Sequence, residues 1–159
     1  YAAPPYIESI TVGRIVDMGV KDACNMGAAM APAFTDTLLR HLSATGRQAD
    51  YYDLILSGDL GIIGKKIATE LLHRQNVDIA PIYNDCGAMI FDPEKQDTHA
   101  GGSGCGCAAS VLCSYVLPKM MCGRLKRVLL CATGALMSPT VSMQGESIPS
   151  VSHAISFEA

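Results

Sequence analysis

The stretch KRVLLCATG at 126–134 is almost wholly apolar and shows no alternation of apolar and polar positions. A strand of that composition has no face to offer water, so it has to be covered on both sides. The segments around it supply the cover. MGAAMAPAFTDTLLRHLSATG at 26–46 is rich in Ala, Leu and Met and closes on Gly46, which predicts a helix with a kink at Pro32. IIGKKIATELLHR at 62–74 places Ile63, Ile67 and Leu71 at helical spacing, with Lys65, Lys66, Glu70 and Arg74 left for the surface. Between them YYDLILSGD at 51–59 reads as a short strand stopping at Ser57-Gly58, and ITVGRIVDMG at 10–19 as a strand ending at Gly19. A strand around Ala88 to Phe91 is expected before the polar turn at Asp92-Pro93-Glu94-Lys95. The segment 105–122 carries Ala, Val, Leu, Tyr and Met on nearly every face and predicts a helix buried all round. HAISFEA at 153–159 follows a polar, Pro-containing loop and predicts a final alternating strand. Alternating strands and helices around a fully buried strand imply an α/β layered fold, a mixed sheet packed by helices.

A chain of 159 residues fits one domain, 1–159, and 49% hydrophobic against 17% charged residues leaves ample material for its core. The net charge of −3, with no Lys/Arg run beyond Lys65-Lys66 or Lys126-Arg127, sets nucleic acid aside as a partner. No apolar run reaches the roughly 18 residues that a membrane span needs, so a soluble chain is expected. Seven cysteines is an odd number, and Cys107, Cys113 and Cys131 sit inside apolar segments, which fits buried thiols in a reducing, cytoplasmic compartment. The opening YAAPPYIES has no initiator Met and no basic leader, and reads as a piece of something longer.

Chemistry concentrates in HAGGSGCGCAASVLCSY at 99–115, where a glycine run leads into the apolar helix. Unpartnered N–H groups at a helix start suit an anion, and Ser103 could cap the helix or donate to a carboxylate. Tight packing of helix on sheet explains the glycines equally well. The run is not a Walker A loop, because no Gly-Lys-Ser/Thr follows. Cys105-Gly106-Cys107 lacks the paired spacing of a zinc framework, so no metal site is expected, and no cofactor either. Cys105 at a helix start suits a nucleophile, provided a base lies nearby. Among the histidines, His41 and His73 beside Arg40 and Arg74 read as solvated helix positions, His99 as part of a polar turn, and His153 as a residue that points into a site or simply pairs. Asp59 and Asp85 fall at strand ends, where α/β sites are built, and either could instead cap a helix or turn.

GRIVDMGVKDACNMGAAMAPA (13–33), YNDCGAMIFD (83–92), AGGSGCGCAA (100–109) and KRVLLCATGALMSPTVSMQGESIPSVSHA (126–154) together resemble the C-terminal half of the thiolase and ketoacyl synthase superfamily. Within it they are most similar to a sporulation-protein family of spore-forming bacteria. The resemblance covers nearly the whole chain, and implies a thiolase-like layered fold. It also shows departures from the catalytic members. Enzymes of the ketoacyl synthase III type carry a His after the second strand of this half and an Asn at the glycine loop, where this chain reads LSGDLG (56–61) and AGGSGCG (100–106). Thiolases carry a loop His and a Cys-x-Gly-Gly, where this chain reads Cys131-Ala132-Thr133-Gly134-Ala135 and has no loop His.

The resemblance therefore implies a non-catalytic binding protein on an enzyme fold. Its ligand would be dipicolinic acid, free or as its calcium chelate, bound during uptake into the developing spore with membrane proteins of the same operon as partners. The place implied is cytoplasmic, peripheral to the spore membrane. Gly102, Ser103, Gly104, Cys105, Ser138 and His153 are the expected pocket lining, with Asp59 near the mouth. Two other functions stay open: a divergent acyl-transfer enzyme using Cys105 or Cys131, and a purely structural subunit. Because the fold is built from two similar halves, the apolar helix after Gly104 is expected to meet a partner half or a second copy of the chain, which makes a homo-oligomer the expectation.

Overall fold

The computed structural model describes residues 4–102 and 104–159. Six strands form one mixed sheet: β1 (Tyr6–Thr11), β2 (Ile15–Val16), β3 (Leu54–Ser57), β4 (Tyr83–Asp85), β5 (Arg127–Ala135) and β6 (Ser150–Glu158). The order is β1-β6-β5-β3-β4, with β2 also on β6. Strands β3, β4 and β5 run parallel, while β6 is antiparallel to β5, β1 and β2. The run at 126–134 is thus a central strand, and Val128, Leu129, Leu130 and Cys131 are all buried.

Helices cover both faces. On one, α1 (Met26–Thr45) and α2 (Gly61–His73) pack Phe34, Leu38, Ala68 and Leu72 against Ile55, Leu129, Cys131 and Ala154. Asn25 caps α1 by accepting the Ala28 N–H at 3.3 Å, and Gly46 ends it in the left-handed conformation with its N–H turned back to the Leu42 and Ser43 carbonyls. Two buried hydroxyls fasten α1 to β6, Thr37 donating to the Ser152 carbonyl at 3.0 Å and Ser150 to that of Ala29 at 2.7 Å. On the other face a helical segment runs from α4 (Cys107–Val111) through a π-helical turn (Leu112–Val116) into α5 (Leu117–Met121), preceded by the short α3 (Cys86–Ile90). Its buried residues Cys107, Val111, Val116 and Met120 meet Leu56, Val128, Leu130 and Phe157. A last short helix, α6 (Pro139–Met143), lies between β5 and β6.

Four expectations are corrected. The segment 105–122 is not buried all round: Ala109, Ser110, Cys113, Ser114, Tyr115 and Met121 are exposed. The π turn supplies the geometry, because its extra residue makes the step from Val111 to Val116 five residues instead of four and keeps both on the sheet side. Residues 88–90 belong to α3 and not to a strand, because the Asp85 carboxylate caps that helix by accepting the Ala88 N–H at 3.0 Å. The expected strand 10–19 is two strands, both paired to β6, with a break at 12–14. His41 is fully buried: its ring nitrogens lie 2.6 Å from the Tyr52 hydroxyl and 2.8 Å from Thr11 Oγ1. Burial and the nearby Arg47 charge hold its pKa below the ordinary value, so it is a neutral core residue.

Candidate functional site

Three of the strands converge at one end of the sheet. The carboxyl ends of the parallel β3 and β5 meet the beginning of the antiparallel β6, and the register pairs Ala132 with His153 and Thr133 with Ser152. The turn after β3 carries Asp59, and the loop before α4 crosses in front of it. That turn is anchored from below by Asp85. Its buried carboxylate accepts the Ser57 hydroxyl at 2.6 Å and the N–H groups of Leu60 and Gly61 at 2.9 and 2.8 Å, besides capping α3. Tyr83 Oη completes the network, 2.8 Å from Ser57 Oγ. Burial pushes the Asp85 carboxyl up while these donors pull it down.

The glycine loop is tied to the same turn through backbone. The Ile62 N–H donates to the Ala100 carbonyl at 2.7 Å, and the Gly102 N–H to that of Gly87 at 3.4 Å. At Gly61, φ is +68° and a Cβ would stand 2.5 Å from the Ala100 oxygen, so only glycine fits. Gly104 differs: its φ is +80°, yet a Cβ there would meet nothing within 4 Å. In the run itself Gly101 is also held by close packing, since a Cβ there would stand 2.9 Å from the Gly87 oxygen, while Gly104 faces open space.

That space is a cavity of about 370 Å³ lined by Asp59, Gly104, Cys105 and His153, together with Met26, Met30, Val151 and β5 residues from Ala132 to Ala135. A second cavity, of about 350 Å³, shares Met26, Met30, Asp59 and Gly104 with it and adds Gly102, Gly101 and the approach to α1 at 23–25. Each volume lies in the range of small-ligand pockets, roughly 300–1,000 Å³. Asp59 stands at the junction, half-buried. Burial pushes its carboxyl above the ordinary carboxylate value, against the smaller pull of its own N–H and of the nearby Gly104 N–H. His153 is exposed, and its Nδ1 accepts the Gly13 N–H at 3.1 Å.

Of the residues expected from sequence, Asp59, Gly104, Cys105 and His153 meet in one cavity and Gly102 lines its neighbour. Ser103 lies outside the described residues. Ser138 lines neither cavity; its hydroxyl accepts the Val141 N–H at 3.2 Å and caps α6, which is what a Ser-Pro pair at a helix start does. Cys131 lines neither cavity; it is fully buried beneath α1, and burial alone pushes its thiol far above the ordinary value. Sequence reading missed Met26 and Met30, which come from the first turns of α1 at i, i+4 spacing. Among the described residues there is no group of three or more His, Cys, Asp or Glu placed to hold a metal ion.

Residues 2–158 match the family model described as Stage V sporulation protein AD. The chain belongs to that family. It is 44% identical over 152 residues to Stage V sporulation protein AD of Bacillus subtilis (strain 168), covering 96% of this chain and 45% of that relative, so it spans about half of the relative's length. Among solved structures it is similar to a tetronic acid condensing enzyme, with a TM-score of 0.54 and 11% identity over 98% of this chain and 48% of the other. It is also similar to 3-oxoacyl-(acyl-carrier-protein) synthase III of Aquifex aeolicus VF5, with a TM-score of 0.51 and 11% identity over 100% of this chain and 46% of that one. These likenesses establish the thiolase-like fold of the family member, as the sequence motifs implied. No helix among the described residues is long and apolar enough to cross a membrane.

Proposed function

We propose that this chain forms part of a non-catalytic binding protein that takes dipicolinic acid in the cleft between the glycine loop and the ends of β3, β5 and β6. The observation that carries the reading is the convergence of Asp59, Gly104, Cys105 and His153 on one small cavity at the end of the sheet. Dipicolinate is a flat aromatic with two carboxylates, and a cleft with methionines on one wall and a loop amide on the other suits both parts of it. Two features support binding without catalysis. The turn after β3 reads LSGDLG (56–61), without the His that the resemblance places there in the condensing enzymes, and Cys131 is sealed in the core and lines neither cavity. The exposed back of the α4 to α5 segment supports contact with a partner half or a second copy, and membrane proteins of the sporulating cell are the proposed further partners.

Calorimetric titration of dipicolinate into the full natural protein tests the reading, with an isomeric pyridine dicarboxylate as control. Selective binding is expected; equal binding of both isomers, or none, refutes it. An acyl-transfer reading draws on Cys105, which is exposed in the same cavity as His153. It requires a covalent acyl adduct on Cys105 after incubation with acyl-CoA, read by intact mass.

A further inference from the structure

Neither cavity of the cleft is lined by Lys or Arg among the described residues. The groups around Asp59 that can titrate are Cys24 ahead of α1, Cys105 on the loop and His153 on β6, with Asp85 and Cys86 behind the turn. An anion entering this space therefore meets no permanent counter-charge. It does meet Asp59, whose carboxylate stands at the junction of both cavities with the Gly104 backbone beside it. Two carboxylates cannot sit side by side at that junction without repulsion that a half-buried cleft screens poorly.

We propose that Asp59 is the specificity-determining residue of the cleft, accepting a carboxylate ligand only by taking up a proton and donating it in a hydrogen bond to that ligand. The inference rests on the dicarboxylate reading above. The balance is simple: one proton moves from solvent to an Asp59 oxygen, forming its O–H bond, as one ligand binds, and no bond within the ligand is made or broken. The half-buried position of Asp59 favours that neutral form. A carboxylic acid facing a carboxylate also selects against neutral amide and ester analogues, which lack the charge that makes this hydrogen bond strong.

The test is calorimetry of dipicolinate with the full natural protein and its Asp59→Asn variant between about pH 6 and 8, in two buffers of different ionisation enthalpy so that protons are counted. Across this range the ligand's own carboxylates stay ionised. Wild type is expected to take up close to one proton per ligand at the upper end, and to lose up to about tenfold in affinity per pH unit there. Asp59→Asn is expected to bind at least about tenfold more tightly than wild type at pH 8, with the pH slope removed. A His153→Gln variant separates the two titrating groups. If the slope survives in Asp59→Asn and disappears in His153→Gln, the proton belongs to His153 and the inference falls. Weaker binding by Asp59→Asn, most marked with calcium present, also overturns it, because Asp59 would then be a cation ligand. Binding by both proteins with equal slopes overturns this inference alone, and absence of binding by both overturns the dicarboxylate reading with it.

Discussion

Asp85→Asn changes one buried oxygen into an amino group and leaves the shape of the side chain intact, which makes it a sharp probe of the turn that carries Asp59. The native carboxylate serves four donors, two on each oxygen. With the amide oxygen kept towards Gly61 and Ala88, the new amino group faces Ser57 and Leu60. Ser57 can adapt, because its hydroxyl can accept from the amide and turn its own proton to Tyr83 Oη, 2.8 Å away. The Leu60 N–H cannot, and is left as a buried donor facing another donor. Such an orphan costs about 1–3 kcal/mol, and the opposite amide orientation would orphan two. The expected loss of stability is therefore about 1–3 kcal/mol for Asp85→Asn, and at least about 4 kcal/mol for Asp85→Ala, which strips all four donors. Urea unfolding of the full protein, followed by circular dichroism, reads both. A loss below about 0.5 kcal/mol for the asparagine variant, the range of an ordinary surface change, would refute the account of Asp85 as the anchor of this turn.

Two further outcomes follow from geometry elsewhere. Gly61→Ala meets both a left-handed backbone and the Ala100 oxygen, so a loss of about 2 kcal/mol or more is expected in the same urea assay, together with weaker ligand binding as the loop is pushed aside. Glu8 pairs with Arg47 through two contacts of 2.7 Å, which hold its carboxyl at about 2 against an ordinary 4.5. Because the folded value is the lower one, the pair's contribution is fully present above pH 4.5 and fades as pH falls towards 2. Glu8→Gln should therefore cost about 1 kcal/mol at neutral pH, and the gap from wild type should close on acidification in thermal unfolding.

Much of this architecture is readable from residues alone, and the failures have physical causes. The run at 126–134 announced a central strand because nothing in it tolerates water. Helices α1 and α2 announced themselves by spacing and, for α1, by Gly46. The five residues of α3 are too few to show a period, yet Asp85 as its cap was open to view. His41 was misjudged by its neighbour Arg40, although Phe34, Leu38 and His41 share one helical face. The π turn leaves no mark in composition, since it changes only the step between buried positions. Asp59, Gly104, Cys105 and His153 are expected near one another because strand ends and glycine loops are where α/β clefts form, and all four line one cavity. Ser138 was misplaced because its capping role competes with any ligand role, and Met26 and Met30 were missed because apolar residues at a helix start look like core.

The place of β6 in the sheet bears on how the protein is made. Ile10 pairs with Ile155, and Ile15 with Val151, so the first strands of this segment have no sheet neighbour except the last. As the polypeptide leaves the ribosome, β3, β4 and β5 can assemble under α1 and α2, while β1 emerges before them and waits for β6, nearly the whole length of the segment later. During that interval Ile7 and Ile10, which stay exposed even in the finished fold, stand beside an unpaired backbone edge. This segment is open to misassociation there until β6 is made, and a chaperone that shields apolar, extended segments would find a client site at residues 6–16.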